Sequence, residues 1–79
     1  MKEQILLDRI TINPKVMVGK PIIRGLRITV ERILKSLASG VSTQELLEDY
    51  PELEPEDIQA VLSYAAELVS EEQVSPVGI

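Results

Sequence analysis

The sequence predicts a mainly α fold, in which a small N-terminal β element precedes a bundle of three short helices. Two observations carry that expectation. Alternating and turn-punctuated apolar residues occupy the first third of the chain, where "RITINP" and "GKPIIRGLRITV" stand. From Val30 onward the apolar residues change to helical spacing, interrupted by cap and stop residues at short intervals. Seventy-nine residues suit one domain, residues 1–70, with 71–79 as a flexible tail.

The β element spans residues 9–29. Ile10 and Ile12 alternate with polar neighbours, the period of a half-buried strand, and Asn13-Pro14 stops it. "PIIR" and "RITV" flank Gly25-Leu26. Glycine at the first central position of a two-residue loop fits a type II′ turn, because that position requires positive φ. Residues 21–29 therefore read as a hairpin.

The helices are expected at about 30–39, 43–49 and 55–70. In the first, Val30, Ile33, Leu34, Leu37, Ala38 and Val41 follow the i, i+3, i+4, i+7 rule, with Thr29 to cap the start and Gly40 the end. Ser42 and Glu45 of "STQE" form a capping box for the second, and Tyr50-Pro51 ends it. Pro55 opens the third, since proline has no N–H to leave unpaired there, and Glu56 and Asp57 suit the helix dipole. Its apolar stripe reads Ile58, Val61, Leu62, Ala65, Ala66 and Val69. Three helices of this length form helix-turn-helix or homeodomain-like bundles, among others.

Composition bounds the function. The net charge is −5, but residues 1–35 hold all eight bases and three acids, while residues 36–79 hold ten acids and no base. Such asymmetry points to two surfaces with different partners, or to mutual attraction of the two halves. There is no Cys, Phe or Trp, so the core is aliphatic and no disulfide supports it. A core this small leaves little margin, and a symmetric homodimer is the expected supplement. The apolar run in "MKEQILLDR" is too short for a signal peptide, and no stretch reaches the length of a membrane span. A soluble cytoplasmic protein with no membrane partner is expected.

Catalysis is not expected. There is no His or Cys, and none of the six serines has a histidine to serve as base. The neighbouring acids Glu48/Asp49 and Glu56/Asp57 point in different directions on a helix and read as solvated faces or a dipole match. "GKPIIRG" lacks the order and the following helix of a phosphate loop. No cofactor and no metal is expected.

The basic residues carry the candidate sites. In a two-residue hairpin Arg24 and Arg27 face each other, with Ile23 opposite Ile28 one step further in. Like charges directly opposed are destabilising, so something must offset them: Glu31, an acid of the C-terminal half, solvent or a bound anion. Lys20 adds to the same field. The turn is then either held by the chain's own acidic helices or available to grip a partner's carboxylate or phosphate through the guanidinium fork. DNA contact, if made, is expected from Arg9, Lys15, Arg32 and Lys35 together with these three. The last helix opens acidic, "PEDIQAV", and phosphates would repel it.

From "GKPIIRGLRITV" through "ILKSLASGVSTQELLEDYPELEPEDIQAVLSYAAE", over roughly residues 9–67, the chain resembles the bacterial and archaeal domain-of-unknown-function family four-three-three. Two departures from that family's pattern are Leu26, where threonine is usual, and Glu54, where Ser or Thr commonly caps the last helix. The resemblance implies a homeodomain-like fold and, because many members are encoded beside a small PIN-like ribonuclease, an antitoxin role. In that role Arg24 or Arg27 plugs the nuclease's carboxylate site, or Leu68 to Ile79 wraps the toxin as a strand. Autorepression through operator DNA is a further implication; the rival expectation is a stand-alone helix-turn-helix regulator of transcription, or a purely structural interaction module.

Overall fold

A computed structural model describes residues 6–71. It is mainly helical, with a two-stranded antiparallel sheet at the N-terminal end. In chain order the elements are β1 (Ile10–Ile12), a 3-10 turn (Met17–Gly19), β2 (Pro21–Ile23), α1 (Val30–Ala38), α2 (Thr43–Asp49) and α3 (Pro55–Glu71). The expected tail at 71–79 lies outside the described residues except for Glu71, which is helical. Leu68 to Glu71 belong to α3 in the single chain, and the rest of the expected toxin-wrapping segment, 72–79, lies outside the described residues.

The strands pair as Ile10↔Ile23, Thr11↔Ile22 and Ile12↔Pro21. The principal partner of β2 is therefore β1, whereas the expected 21–29 hairpin survives only as one bridge, Ile22↔Thr29, and the Ile23 N–H bond to the Ile28 carbonyl at 3.1 Å. Between them the chain reverses through Ile23–Leu26, closed by the Leu26 N–H on the Ile23 carbonyl at 2.7 Å. Arg24 (φ 46°) and Gly25 (φ 74°) are its central residues. Positive φ at both positions is the type I′ signature, so the expected type II′ turn about Gly25-Leu26 is shifted by one residue. Neighbours in β1 fix the shift: the Arg24 N–H reaches the Arg9 carbonyl at 2.7 Å, and the Gly25 N–H reaches Thr11 Oγ1 at 3.2 Å.

A second bend links the strands. The Asn13 side chain accepts from the Lys15 N–H at 2.9 Å, and Met17, Val18 and Gly19 then follow with φ of 52°, 57° and 77°. Left-handed backbone is strained for side chains other than glycine, by about 1–2 kcal/mol per residue, and most of all for a β-branched one. Val18 nevertheless stands 93 % exposed.

The helix ends follow local chemistry. Thr29 Oγ1 accepts from the Arg32 N–H at 3.0 Å. The C-terminus of α1 closes in a Schellman motif, with Gly40 (φ 96°) donating to Leu37 and Val41 to Ser36. Both halves of the Ser42–Glu45 capping box are formed. Each helix touches the other two, and α1 and α3 also touch the sheet. The core is aliphatic: Ile22, Ile23, Ile28, Val30, Ile33, Leu46, Leu53, Ile58, Ala60 and Val61. Half of the expected α3 stripe is not core. Leu62 and Val69 are 50 % and 67 % exposed, because α3 turns the line Asp57, Val61, Tyr64 inward instead. Among the described residues no helix is long and apolar enough to cross a membrane.

Ile33 has no exposed surface at all, so Ile33→Ala removes methyl groups from the middle of the core and should lower stability by about 3 kcal/mol. Ser42→Ala loses one cap bond and should lower it by about 1 kcal/mol. Urea denaturation of the two variants checks the ranking; the reverse order would misplace the core.

Candidate functional site

The cationic residues of the N-terminal half separate into an inner and an outer set. The inner set is organised by Asp57, whose side chain is fully buried. Arg24 grips it with two bonds, Nε to Oδ1 at 3.0 Å and one terminal nitrogen to Oδ2 at 2.9 Å. That same nitrogen also reaches the Glu52 carbonyl at 2.8 Å. Arg9 donates to Asp57 Oδ1 at 3.0 Å and to Glu54 at 2.8 Å. The Glu54 backbone N–H completes the set, 2.8 Å from Oδ2. Asp57 is the third residue of α3, and its bond to the N–H preceding Pro55 is the return half of a capping box. Where the sequence lacks the usual Ser or Thr at position 54, the helix start is held by Asp57 and by Arg9 on the Glu54 carboxylate.

Burial pushes the Asp57 carboxyl up, but the bonds from Arg24, from the Glu54 N–H and from Arg9 together bring it below its ordinary value. The Arg24 guanidinium is raised in turn, chiefly by its bonds to Asp57. No described buried side-chain polar atom is left without a partner.

The opposed arginine pair expected from the sequence is not formed. The one-residue shift of the turn sends Arg24 back onto Asp57, leaving its side chain 34 % exposed, and leaves Arg27 outside. Arg27 is exposed and has no carboxylate or hydrogen-bond partner among the described residues. Lys15 is likewise exposed and makes no side-chain ion pair there. Of the seven candidate residues, Arg9 and Arg24 are thus structural anchors, and Arg27 and Lys15 are solvent-facing cations.

The remaining three come together. Lys20, Arg32 and Lys35 line a groove of about 680 Å³ between the 3-10 turn and α1, with Met17, Val18 and Val41 as its apolar surface. Glu31 lies among them and accepts from Lys20 at 2.9 Å and from Lys35 at 3.0 Å. These two partners lower its carboxyl to about 2. The Arg32 guanidinium approaches the Tyr50 hydroxyl at 3.5 Å. Sequence reasoning missed the groove because "KVMVGK" gives no sign, beyond Gly19, of a left-handed turn. It missed Asp57 as an anchor because an acid in a helix's first turn has a sufficient local explanation in the dipole. Its i, i+4, i+7 alignment with Val61 and Tyr64 was the available signal. Among the described residues no group of three or more acidic side chains is placed to hold a metal ion.

These features define a small helical protein whose N-terminal sheet is fastened to its last helix by a buried carboxylate. The chain belongs to the family described as "Protein of unknown function (DUF433)", which matches residues 10–65. An uncharacterized protein of Sinorhizobium fredii (strain NBRC 101917 / NGR234), y4eO, is 36 % identical over 56 residues, 71 % of this chain. The chain spans only a quarter of the length of that curated relative, the match covering 25 % of it. The crystal structure of a DUF433 member from Anabaena variabilis ATCC 29413 is 34 % identical and superposes with a TM-score of 0.75, covering 86 % of this chain and 67 % of that one.

Asp57→Asn removes the charge that two guanidinium groups share. It should cost about 2–3 kcal/mol, toward the lower end for broken buried pairs because Arg24 and Arg9 keep some access to water. Because the folded-state values of Asp57 and Glu31 are lowered, their stabilisation is complete above the ordinary carboxylate range and is lost as pH falls through the folded values. The wild type should therefore weaken steadily below about pH 4, and Asp57→Asn should show a shallower fall in the same window. Denaturant midpoints taken from neutral pH downward test this; parallel curves would remove Asp57 from its assigned place.

Proposed function

We propose that this chain is the antitoxin of a two-component pair, a non-enzymatic protein that binds and blocks a PIN-like ribonuclease. The observation that supports this reading is Arg27. Its guanidinium stands exposed beside the type I′ turn with no intramolecular partner among the described residues, while its neighbour Arg24 braces the turn from within. Nucleases of this kind gather carboxylates, and an exposed guanidinium left without a partner of its own matches a carboxylate pair in shape and charge. Arg27 is therefore the plug and Arg24 its support, which divides between two residues the role that the sequence left to either. Lys20 serves as a lesser contact, since Glu31 already holds it.

The exposed cations Arg32 and Lys35 on α1 favour a second reading, in which a homeodomain-like arrangement of the three helices regulates transcription by contacting operator DNA. The opening of α3 weighs against it, because Glu56 is exposed there and would meet phosphates.

The test asks first whether a reading frame for a small PIN-like nuclease neighbours this one, whose absence would count against the antitoxin reading, and then pairs the purified chain with the product of that frame. Equimolar chain should abolish RNA cleavage and co-purify with the nuclease. Arg27→Ala should weaken the complex at least tenfold, about 1.4 kcal/mol, without changing the melting temperature. Arg24→Ala should lower the melting temperature. Undiminished cleavage in the presence of excess wild-type chain would refute the antitoxin reading. A complex that forms equally well with Arg27→Ala would refute the assigned plug. A sequence-specific DNA complex that weakens with salt, without nuclease binding, would favour the second reading.

A further inference from the structure

Two surfaces of this chain are apolar, exposed and opposite in charge. One is the groove beside α1. Met17 and Val18 present their side chains there from left-handed backbone, and Val18 is almost wholly in solvent. Strained backbone that holds an apolar side chain outward does nothing for the interior of this molecule. Lys20, Arg32 and Lys35 surround it against a single carboxylate, Glu31.

The other surface is the distal half of α3. Leu62, Ala66 and Val69 recur at i, i+4, i+7 and are all exposed. Leu68 lies on the inward line continued from Asp57, Val61 and Tyr64, yet it is 48 % exposed, so α3 runs past the end of the body that covers its first turns. Glu67 and Glu71 are the charged residues within this stretch, and no base occurs anywhere after residue 35. An amphipathic helix laid into an apolar groove uses this same spacing of anchors.

We infer that the distal half of α3 seats in the groove of a second copy of this chain, and that the exchange is reciprocal, closing a two-fold dimer with two equivalent helix-in-groove contacts. The match is complementary in charge, since an acidic helix meets a groove with a cationic excess. It is also complementary in polarity, since Leu62, Ala66 and Val69 meet Met17, Val18 and Val41. Reciprocity closes the assembly at two copies: a one-way contact would leave a groove open at one end and a helix at the other, and would end only in a larger ring or propagate as an open array. Within such a dimer Val18 is buried by the partner, which gives its outward placement a purpose.

Sedimentation equilibrium of the full chain reads the result. The wild type should be a dimer at micromolar concentration, with affinity falling as salt rises. Val18→Asp and Val69→Asp should each weaken it at least tenfold while keeping the wild-type circular dichroism spectrum. An equimolar mixture of the two should associate more strongly than either alone, because one unaltered groove and one unaltered helix remain to meet. Lys35→Glu should weaken the dimer, and adding Glu67→Lys should restore part of the loss, which keeps the inference testable if an aspartate variant fails to fold. A monomeric wild type would overturn the inference. So would a Val18→Asp variant that remains as dimeric as wild type when Val69→Asp does not, since helix would then be pairing with helix. A mixture no more associated than its components would overturn it too.

Discussion

The buried Asp57 carboxylate is the interaction on which the fold depends. It gathers four donors from three places in the chain: Arg9 before β1, Arg24 in the turn after β2, and the backbone N–H at the start of α3. A two-stranded sheet this short has little stability of its own. Here both strands are fastened to the longest helix through their adjoining arginines. A buried ion pair adds little net stability over apolar packing, because desolvation opposes the Coulomb gain. Its consequence is geometric: the direction of the turn and the rotation of α3 are set together, since the turn supplies the Arg24 donors and α3 the carboxylate that accepts them.

Fixing those two features determines what the surface offers. Rotating α3 to bury Asp57 moves Leu62 and Val69 off the core face and into solvent. Drawing Arg24 inward leaves Arg27 as the cation beside the turn. The segregated charge of the sequence is therefore only partly neutralised within the fold. Arg9 and Arg24 meet acids of the C-terminal half, Lys20 and Lys35 meet Glu31 nearby in the N-terminal half, and Arg27 and Lys15 meet none among the described residues.

What was legible in the sequence is what is decided locally. The Thr29 cap, the Ser42–Glu45 box, Gly40 and Pro55 each act within a few residues, and all four stand where their chemistry places them. The turn was displaced by one residue because Gly25 suits the first centre of type II′ and the second centre of type I′ equally well. The choice is made by Thr11 and Arg9 across the sheet and by Asp57 beyond it, none of which is near in sequence. The α3 stripe failed for a related reason. Apolar periodicity identifies the face that excludes water, and here a carboxylate sits at the centre of that face. Of the candidate cations, spacing alone could not separate the two that are consumed by Asp57 from those left outside, because that division depends on where α3 arrives.

Arg24 is asked for two incompatible qualities at once. Its left-handed backbone suits glycine or asparagine, which carry no cation; its side chain must offer a planar fork, which lysine lacks. Glycine satisfies the first requirement by surrendering the second, and lysine keeps the charge without the fork or the ease of left-handed backbone. The position is thus a local optimum with no gentle slope leading away from it. Drift there would have to begin at Asp57, by removing the need for a cation before the cation itself is exchanged.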